Sequence, residues 1–300
     1  MQGSCFLWKI AESFLHCDHL DERWRRGAPG NALPREMLFL SRHASASGRP
    51  CLTVHPIGVP SASVSAEQLA KSGGRAGRCV PPSPRIGHLY RRLRALKKGG
   101  GSVPPGFEVS LEATHHGPFA ETPSAFVEIG STEAEWSRAD AAEPLVSALL
   151  GELAGELAGE LAGEVETRRP DGKGSQCSPV VIGLGGGHYT PKMGDVAGAG
   201  AAVGHILSSY AIAFAPPADG GPVGAEEGLA CLMAGGGGGA ILEAVESTRR
   251  SFGGALLDGD GAEPAPALLV QVDKKGFGKK WQRDAVLALL EREGLSWRLK

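Results

Sequence analysis

Short apolar segments alternate with segments of helical periodicity along most of this 300-residue chain. Strands are predicted at 37–41, 51–55, 107–116, 125–130, 179–184, 267–272 and 295–299, and helices at 85–98, from 132 onward, and at 196–214, 241–250 and 281–293. Alternation of this kind layers helices over a sheet. The sequence therefore predicts an α/β fold, a three-layer α/β/α arrangement in which a mixed sheet carries helices on both faces.

Glycine and proline limit how much of the chain can pack into a core. With 45 Gly and 21 Pro, a substantial part of the chain is expected to be loop or spacer. Low-complexity segments lie near 60–84, 151–178 and 216–265, and they include the repeat GELAGELAGELAGEVE and five consecutive glycines at 235–239. We predict one domain over 1–300 with these segments as insertions, the first a surface loop and the last largely mobile.

Charge and cysteine spacing exclude several classes of protein. A formal net charge of -2 and a pI near 6.5 exclude a globally basic nucleic-acid binder, so no DNA partner is expected, but a local basic surface remains compatible. The six cysteines never have CxxC spacing, which excludes a zinc ribbon and a thioredoxin-type redox pair. Because no apolar run of membrane-spanning length occurs, we expect a soluble, cytoplasmic protein without membrane contact.

A basic amphipathic helix is predicted at 85–98. Apolar residues recur there at helical spacing, and six Arg and Lys residues occur without one acid. Such a face is either a solvated exterior or a contact for RNA phosphates, which attract clustered cations. The sequence alone leaves both interpretations open.

The motif EATHHGP at 112–118 follows a predicted strand. If the strand continues through it, Glu112, Thr114 and His116 share one face, and His115 lies on the other. A carboxylate beside an imidazole suits general-base activation of water, and the same pair could hold a metal. The alternative is a structural, hydrogen-bonded turn at Gly117.

The motif GLGGGHYTPK at 183–192 also follows a predicted strand. Its glycines have no Cβ, so that backbone N–H groups could approach a phosphate, a ribose or a developing oxyanion. His188, Tyr189 and Lys192 add a proton carrier, a stacking ring and a phosphate partner. The motif fits neither the Walker pattern nor GxGxxG, and a plain tight turn is the alternative. His205, alone in an apolar stretch, is expected to be a core histidine.

Six motifs occur in one order along the chain: DHLDE at 18–22, FLSRHASASG at 39–48, LTVHPIG at 52–58, EATHHGP, FVEIGSTEAEW at 126–136 and GLGGGHYTPK. Together they resemble the archaeal and plant type of D-aminoacyl-tRNA deacylase, and GHI at 204–206 and the DKKG region near Asp273 extend the similarity. The resemblance implies hydrolysis of the ester between a D-amino acid and the 3′-terminal ribose of tRNA, a proofreading step that spares L-aminoacyl-tRNA. It also implies zinc, and a fold similar to phosphorylase and peptidyl-tRNA hydrolase domains.

The residues and the resemblance together give a set of expected site residues. The expected catalytic residues are Glu112, Thr114, His115, His116 and His188, the expected substrate-binding residues are Gly185, Gly186, Gly187, Tyr189, Lys192, Arg91, Arg92 and Lys97, and the candidate zinc ligands are His43, His55, His115, His116 and His188. No HExxH spacing selects among these ligands.

Two other functions remain open at this stage. One is a non-catalytic tRNA-binding or RNA-binding protein that holds phosphates through 85–98 and 274–280, and the other is a peptidyl-tRNA hydrolase-like esterase. Family members begin with a further strand and helix before the DHLDE motif, so we expect the start of this chain to be incomplete, which leaves organellar targeting open. The oligomeric state is not predicted.

Overall fold

The computed structural model describes residues 4–27, 31–98, 102–157, 179–217, 224–254 and 267–300, and every structural statement below refers to these residues. The α/β class is confirmed. The described strands form two four-stranded sheets and one two-stranded sheet. The sequence predicts a single mixed sheet, so the division into separate sheets differs from that prediction.

The first sheet is mixed and has the strand order β1-β6-β2-β5. Its strands are β1 (Met37–Arg42), β2 (Cys51–His55), β5 (Glu108–Leu111) and β6 (Ser124–Gly130). β1 runs parallel to β6 and β5 parallel to β2, whereas β2 and β6 are antiparallel. The two-stranded sheet pairs β3 (Gly58–Val59) with β4 (Arg78–Cys79).

The second sheet has the order β10-β9-β7-β8, and all its pairs are parallel. Its strands are β7 (Val180–Leu184), β8 (Ala202–Leu207), β9 (Leu268–Val272) and β10 (Trp297–Leu299). β7 and β8 are buried almost throughout and read as apolar runs, as expected for parallel strands covered on both faces.

The helices are α1 (Leu20–Gly27), α2 (Ala66–Ser72), α3 (Ile86–Lys98), α4 (Glu133–Trp136), α5 (Ala139–Leu157), α6 (Pro191–Gly198), α7 (Ala225–Ala234), α8 (Gly237–Gly254) and α9 (Lys280–Arg292). Helix α3 lies at the centre, where its buried residues Ile86, Leu89 and Leu93 join an apolar core with residues of both sheets. A second core packs β7 and β9 against α7, α8 and α9. The helix predicted from 132 onward begins with α4, and a capping box between Thr132 and Glu135 is present at its start.

Three secondary-structure predictions were wrong. The predicted helix at 196–214 is instead the end of α6, followed by strand β8 and a 3-10 turn at Ser209–Ala211, because Ala202–Leu207 pairs with β7. The predicted surface loop at 60–84 contains α2 and β4, and Val80 within it is buried. Within 216–265, residues 225–254 form α7 and α8, and three of the five glycines begin α8.

The remaining predictions about the insertions fall partly outside the described residues. Helix α5 extends into the GELA repeat as far as Leu157, while 158–178, 218–223 and 255–266 lie outside the described residues.

None of the five described cysteines is paired in a disulfide. Among the described helices no single one is long and apolar enough to cross a membrane, although the pair α7 and α8, bent by 75°, meets that test of length and composition jointly.

Candidate active site

The two faces of the first sheet differ in chemistry. Along β6, Ala125 and Val127 belong to the central apolar core, while Phe126 and Glu128 point to the opposite face, because side chains alternate along a strand. On the neighbouring strand β2, Thr53 pairs with Glu128 and His55 pairs with Phe126, and antiparallel partners share a face. One face of the sheet therefore carries buried polar groups.

Five histidines surround two buried glutamates on that face, and we name this group the histidine cluster: His43, His55, His115, His116 and His188, with Glu112 and Glu128. All five histidines named as candidate ligands from sequence are members. They come from distant parts of the chain, at or near the ends of strands β1, β2, β5 and β7.

Glu112 is fully buried and lies among three histidines. Its Oε2 is 2.7 Å from Nε2 of His188 and 3.8 Å from Nε2 of His115, and its Oε1 is 3.3 Å from Nδ1 of His43. Burial alone would raise the pKa of Glu112, but the contact with His188 and the charges of His55 and His43 outweigh it, so its pKa lies below the usual value. Glu112 is thus a buried carboxylate that stays ionised.

Glu128 is the member that sequence reasoning missed. Its Oε2 lies 3.5 Å from Nδ1 of His43 and 3.5 Å from Nε2 of His55. Burial would raise its pKa, but the two histidines more than compensate, and the pKa falls far below the usual value. The available signal was an acid inside the apolar strand SAFVEIG, since a buried carboxylate in such a strand requires partners.

The histidines fall into two groups by protonation. Burial tends to lower the pKa values of His43 and His55, but their contacts with Glu128 and the charge of Glu112 raise both above the usual value. Burial and neighbouring histidines lower the pKa of His115 well below its usual value, and burial with His55 lowers that of His116 to about 4. His115 and His116 are therefore neutral imidazoles at physiological pH.

The predicted alternation through EATHHGP was wrong. Strand β5 ends at Leu111, so Glu112, Thr114 and His116 do not line one surface. Instead, Thr114 forms a hydrogen bond between its hydroxyl and Nδ1 of His205 (3.0 Å), away from Glu112. His115, rather than His116, comes near Glu112, and His116 adopts a positive φ of 45°.

The glycine loop, which is the motif GLGGGHYTPK at 183–192, is less open than predicted. The N–H of Gly185 donates to the carbonyl of Leu207 (2.8 Å) and that of Gly186 to the carbonyl of Gly276 (3.0 Å), so neither is free for a substrate. Gly187 is exposed, a Cβ added there would meet nothing within 4 Å, and its N–H has no acceptor among the described residues. Only the last of the three predicted N–H groups can therefore receive a ligand.

Tyr189 and Lys192 both line a cavity beside this loop. The cavity has a volume of about 220 Å³ and is lined by residues 183–187, 189–193, Ile206, Gln271 and Asp273. The Tyr189 hydroxyl lies 2.8 Å from Nε2 of His43, so the cavity adjoins the histidine cluster. Lys192 forms an ion pair with Asp273.

The three predicted substrate contacts of the basic helix, Arg91, Arg92 and Lys97, engage the protein itself. Arg91 donates to the carbonyl of Ala197 (3.0 Å), Arg92 pairs with Glu152, and Lys97 pairs with Glu108 at 2.8 Å. None of these contacts involves the histidine cluster.

Three groups within the cluster have the composition and spacing of metal ligands: His55, His115 and His116; His43, Glu112 and His188; and His55, Glu112 and Glu128. In the first group each Nδ1 faces a backbone carbonyl at 2.7 to 3.0 Å, of Pro56, Ala113 and Gly117 respectively. A carbonyl only accepts, so Nδ1 carries a proton in each of the three rings. The neutral rings of His115 and His116 therefore have a lone pair on Nε2, and His55 would have one after release of the Nε2 proton that its contact with Glu128 favours. Both oxygens of Glu112 and Nε2 of His55 also lack a well-aligned hydrogen-bond partner among the described residues. These residues fit a cation.

Comparison with known proteins identifies the family. Residues 31–298 match the family model of D-aminoacyl-tRNA deacylase. The chain belongs to this family. Among curated deacylases, the one from Arabidopsis thaliana is 36% identical over 285 residues, which are 95% of this chain and 81% of the plant protein. The one from Archaeoglobus fulgidus is 32% identical over 192 residues, which are 64% of this chain and 58% of the archaeal protein.

The fold of this deacylase family member also has a solved counterpart. The crystal structure of a conserved protein of unknown function, AF0625, superimposes with a TM-score of 0.62 at 25% sequence identity, covering 96% of this chain and 78% of that one. The family model and the curated relatives confirm the resemblance inferred from the six motifs. The roles of individual site residues stay a prediction.

Proposed function

We propose that this chain hydrolyses the ester bond of D-aminoacyl-tRNA at the histidine cluster, releasing a free D-amino acid and tRNA. The observation that carries the proposal is the buried, ionised Glu112 held against His188, beside a loop and a cavity that could receive the end of a substrate. A carboxylate and an imidazole in contact form the unit that activates water in many hydrolases. Family membership supports the same reaction.

His188 is the histidine best placed to move a proton. Its Nε2 faces Glu112, and its side chain retains about a third of its exposure. Its Nδ1 lies 3.1 Å from the hydroxyl of Tyr210, an exposed residue, and so faces the side from which water arrives. In our proposal Nδ1 accepts the proton of the attacking water, and Glu112 orients the ring and stabilises the imidazolium that forms.

The N–H of Gly187 is the proposed donor to the oxyanion. It is the one amide of the three glycines without a partner in the described structure, and it immediately precedes His188. Because this donor is adjacent in sequence to His188, the negative charge that develops on the carbonyl oxygen of the ester would lie close to the attacking water. Tyr189, which forms a hydrogen bond with His43, then lies between the histidine cluster and the cavity.

Zinc is proposed to bind through Nε2 of His55, His115 and His116. Three protein ligands with an open fourth position are typical of catalytic zinc, and the backbone carbonyls already orient these rings for it. Bound there, zinc would polarise the ester and lower the pKa of a coordinated water. This assignment leaves Glu112 and His188 for proton transfer.

The test compares release of D-tyrosine and L-tyrosine from charged tRNA, by wild type and by Glu112→Gln. We expect D-tyrosine release that far exceeds L-tyrosine release and that falls at least about 100-fold in the variant. Equal rates for both enantiomers would contradict chiral proofreading. Cleavage of an N-blocked aminoacyl-tRNA of either chirality would indicate a peptidyl-tRNA hydrolase-like esterase. Binding of tRNA without turnover would indicate the non-catalytic alternative.

A further inference from the structure

The charges of the basic helix α3 are largely engaged within the fold. Arg85 forms an ion pair with Glu36, Arg92 with Glu152 and Lys97 with Glu108. A cation already paired with a carboxylate loses part of the attraction that it could offer a phosphate. The helix that the sequence favours as an RNA contact is therefore a weak candidate.

A second cluster of cations lies after strand β9. We name residues 274–280 the lysine loop, and its four lysines are Lys274, Lys275, Lys279 and Lys280, all exposed. Among the described residues, none of their ammonium groups lies within ion-pair distance of a carboxylate. The adjacent acid, Asp273, is occupied by Lys192 and by the backbone N–H of Lys275 (2.9 Å). The lysine loop thus presents uncompensated positive charge.

The lysine loop is attached directly to the glycine loop of the candidate site. The carbonyl of Gly276 accepts from the N–H of Gly186 at 3.0 Å, and a Cβ added to Gly185 would lie 2.9 Å from the ring of Phe277. Gly186 is two residues from His188, which contacts Glu112. Positive charge therefore borders the cavity next to the proposed chemistry.

We infer that the lysine loop binds backbone phosphates of the tRNA acceptor end while the aminoacylated 3′ terminus occupies the histidine cluster. The inference rests on the proposed function for the identity of the partner. A single strand offers one negative charge per nucleotide, and flexible lysines that track such a backbone bind it without reading its sequence. Binding that does not depend on nucleotide sequence suits an enzyme whose tRNA substrates share the attached amino acid rather than a sequence. In this arrangement the lysine loop contributes affinity for tRNA, and the histidine cluster hydrolyses the ester.

The first experiment measures binding of uncharged tRNA at several salt concentrations. Lys274→Ala/Lys275→Ala/Lys279→Ala is compared with a control, Lys9→Ala/Arg35→Ala/Arg249→Ala, which removes three exposed positive charges elsewhere. We expect the loop variant to bind roughly 10- to 100-fold more weakly at low salt, with a salt slope reduced by about 2 to 3. The control should bind like wild type. Equal losses in both variants, or none in the loop variant, would overturn the inference.

The second experiment separates the loop from the chemistry. The substrates are D-tyrosyl-tRNA and the D-tyrosyl ester of adenosine, which has no phosphate. We expect the loop variant to lose kcat/KM only for the tRNA substrate, and lysine-to-arginine changes at the three positions to restore it. If neither protein cleaves the adenosine ester or the tRNA, the proposed function fails, while the binding measurement still tests the loop. A loss on both substrates would show that the loop acts on the site rather than on phosphates.

Discussion

At the level of single residues, the two glutamates define the site. Glu112 and Glu128 are 0% and 2% exposed, and each is surrounded by imidazoles. An ionised carboxylate out of water is costly unless opposite charge and hydrogen bonds surround it. The fold keeps both within 3.5 Å of the same ring, that of His43, an arrangement that is costly for stability and that we propose serves catalysis.

Glu112→Gln and Glu128→Gln are expected to separate the two carboxylates. Both changes keep the size of the side chain and remove its charge. Because Glu112 contacts His188, the proposed proton carrier, Glu112→Gln should lower kcat at least about 100-fold with D-tyrosyl-tRNA. Glu128→Gln leaves that contact in place and should lower kcat less. Glu133→Gln on the exposed start of α4 is the matched control and should behave as wild type. An active Glu112→Gln enzyme would exclude the proposed role.

His205 is expected to make stability depend on pH. It is completely buried on β8, between the Thr114 hydroxyl (3.0 Å) and the Ser247 hydroxyl (3.2 Å), and burial lowers its pKa to about 3. The unfolded chain takes up a proton near the ordinary histidine pKa, whereas the folded chain does not. Stability is therefore fully present above that pKa and falls as pH drops toward the folded value.

The measurement is denaturant unfolding of wild type and His205→Gln at neutral and mildly acidic pH. One such histidine should cost wild type about 2 kcal/mol between pH 7 and pH 5, a loss that the variant lacks. The variant should be less stable than wild type at neutral pH, because the ring links Thr114 to Ser247. Parallel pH curves for the two proteins would contradict the prediction.

Sequence reasoning at the residue level identified most members of the histidine cluster but not their arrangement. All five histidines and Glu112 were identified, since polar residues beside glycine turns at strand ends stand out. Glu128 was missed because it lies inside a strand and its partners are distant in sequence. Thr114 was misplaced because the end of β5 depends on a pairing that sequence does not show: Glu112 bridges to Tyr189 beyond it.

At the level of elements, the glycine loop depends on conformations that other residues rarely adopt. Gly185 has φ 95° and faces the ring of Phe277, while Gly187 has open space around it and no positive φ. We expect Gly185→Ala to lower the free energy of unfolding by about 1 kcal/mol or more, and Gly187→Ala to leave it nearly unchanged. Thermal unfolding of the two variants tests this. Equal effects would mean that the loop is not held as described.

The failures of element prediction have a common physical origin. Residues 196–214 are mostly small and apolar, and such a segment suits a packed helix and a buried parallel strand equally well. Long-range pairing with β7 decides for the strand at Ala202–Leu207. Likewise, glycines at 237–239 enter α8 because that helix packs in the second core, which overrides their poor propensity.

At the level of the whole molecule, the α/β class was predictable from the alternation of elements, but the division into two sheets was not. Which strands pair depends on contacts between segments far apart, such as β1 with β6 and β7 with β9. The histidine cluster lies where parts of both sheets meet, since Glu112 follows the first sheet and His188 the second. Its assembly therefore requires the complete fold.

Metal removal is expected to act on the whole molecule. If zinc joins His55, His115 and His116, it binds the folded chain far better than the unfolded one and stabilises it by mass action. A strong chelator should lower the Tm of wild type, zinc should restore it, and His115→Asn/His116→Asn should be insensitive to both. Asparagine tolerates the positive φ at 116. The proposal would be contradicted if wild-type protein contained no zinc and its Tm did not change when the chelator was added.

The two-faced first sheet has a consequence for how the sequence can change. A deletion or insertion of one residue within β6 would exchange its two faces, moving Glu128 into the apolar core and Val127 toward the histidines. Inside β6, a single codon gained or lost would therefore disrupt the histidine cluster and the apolar core together.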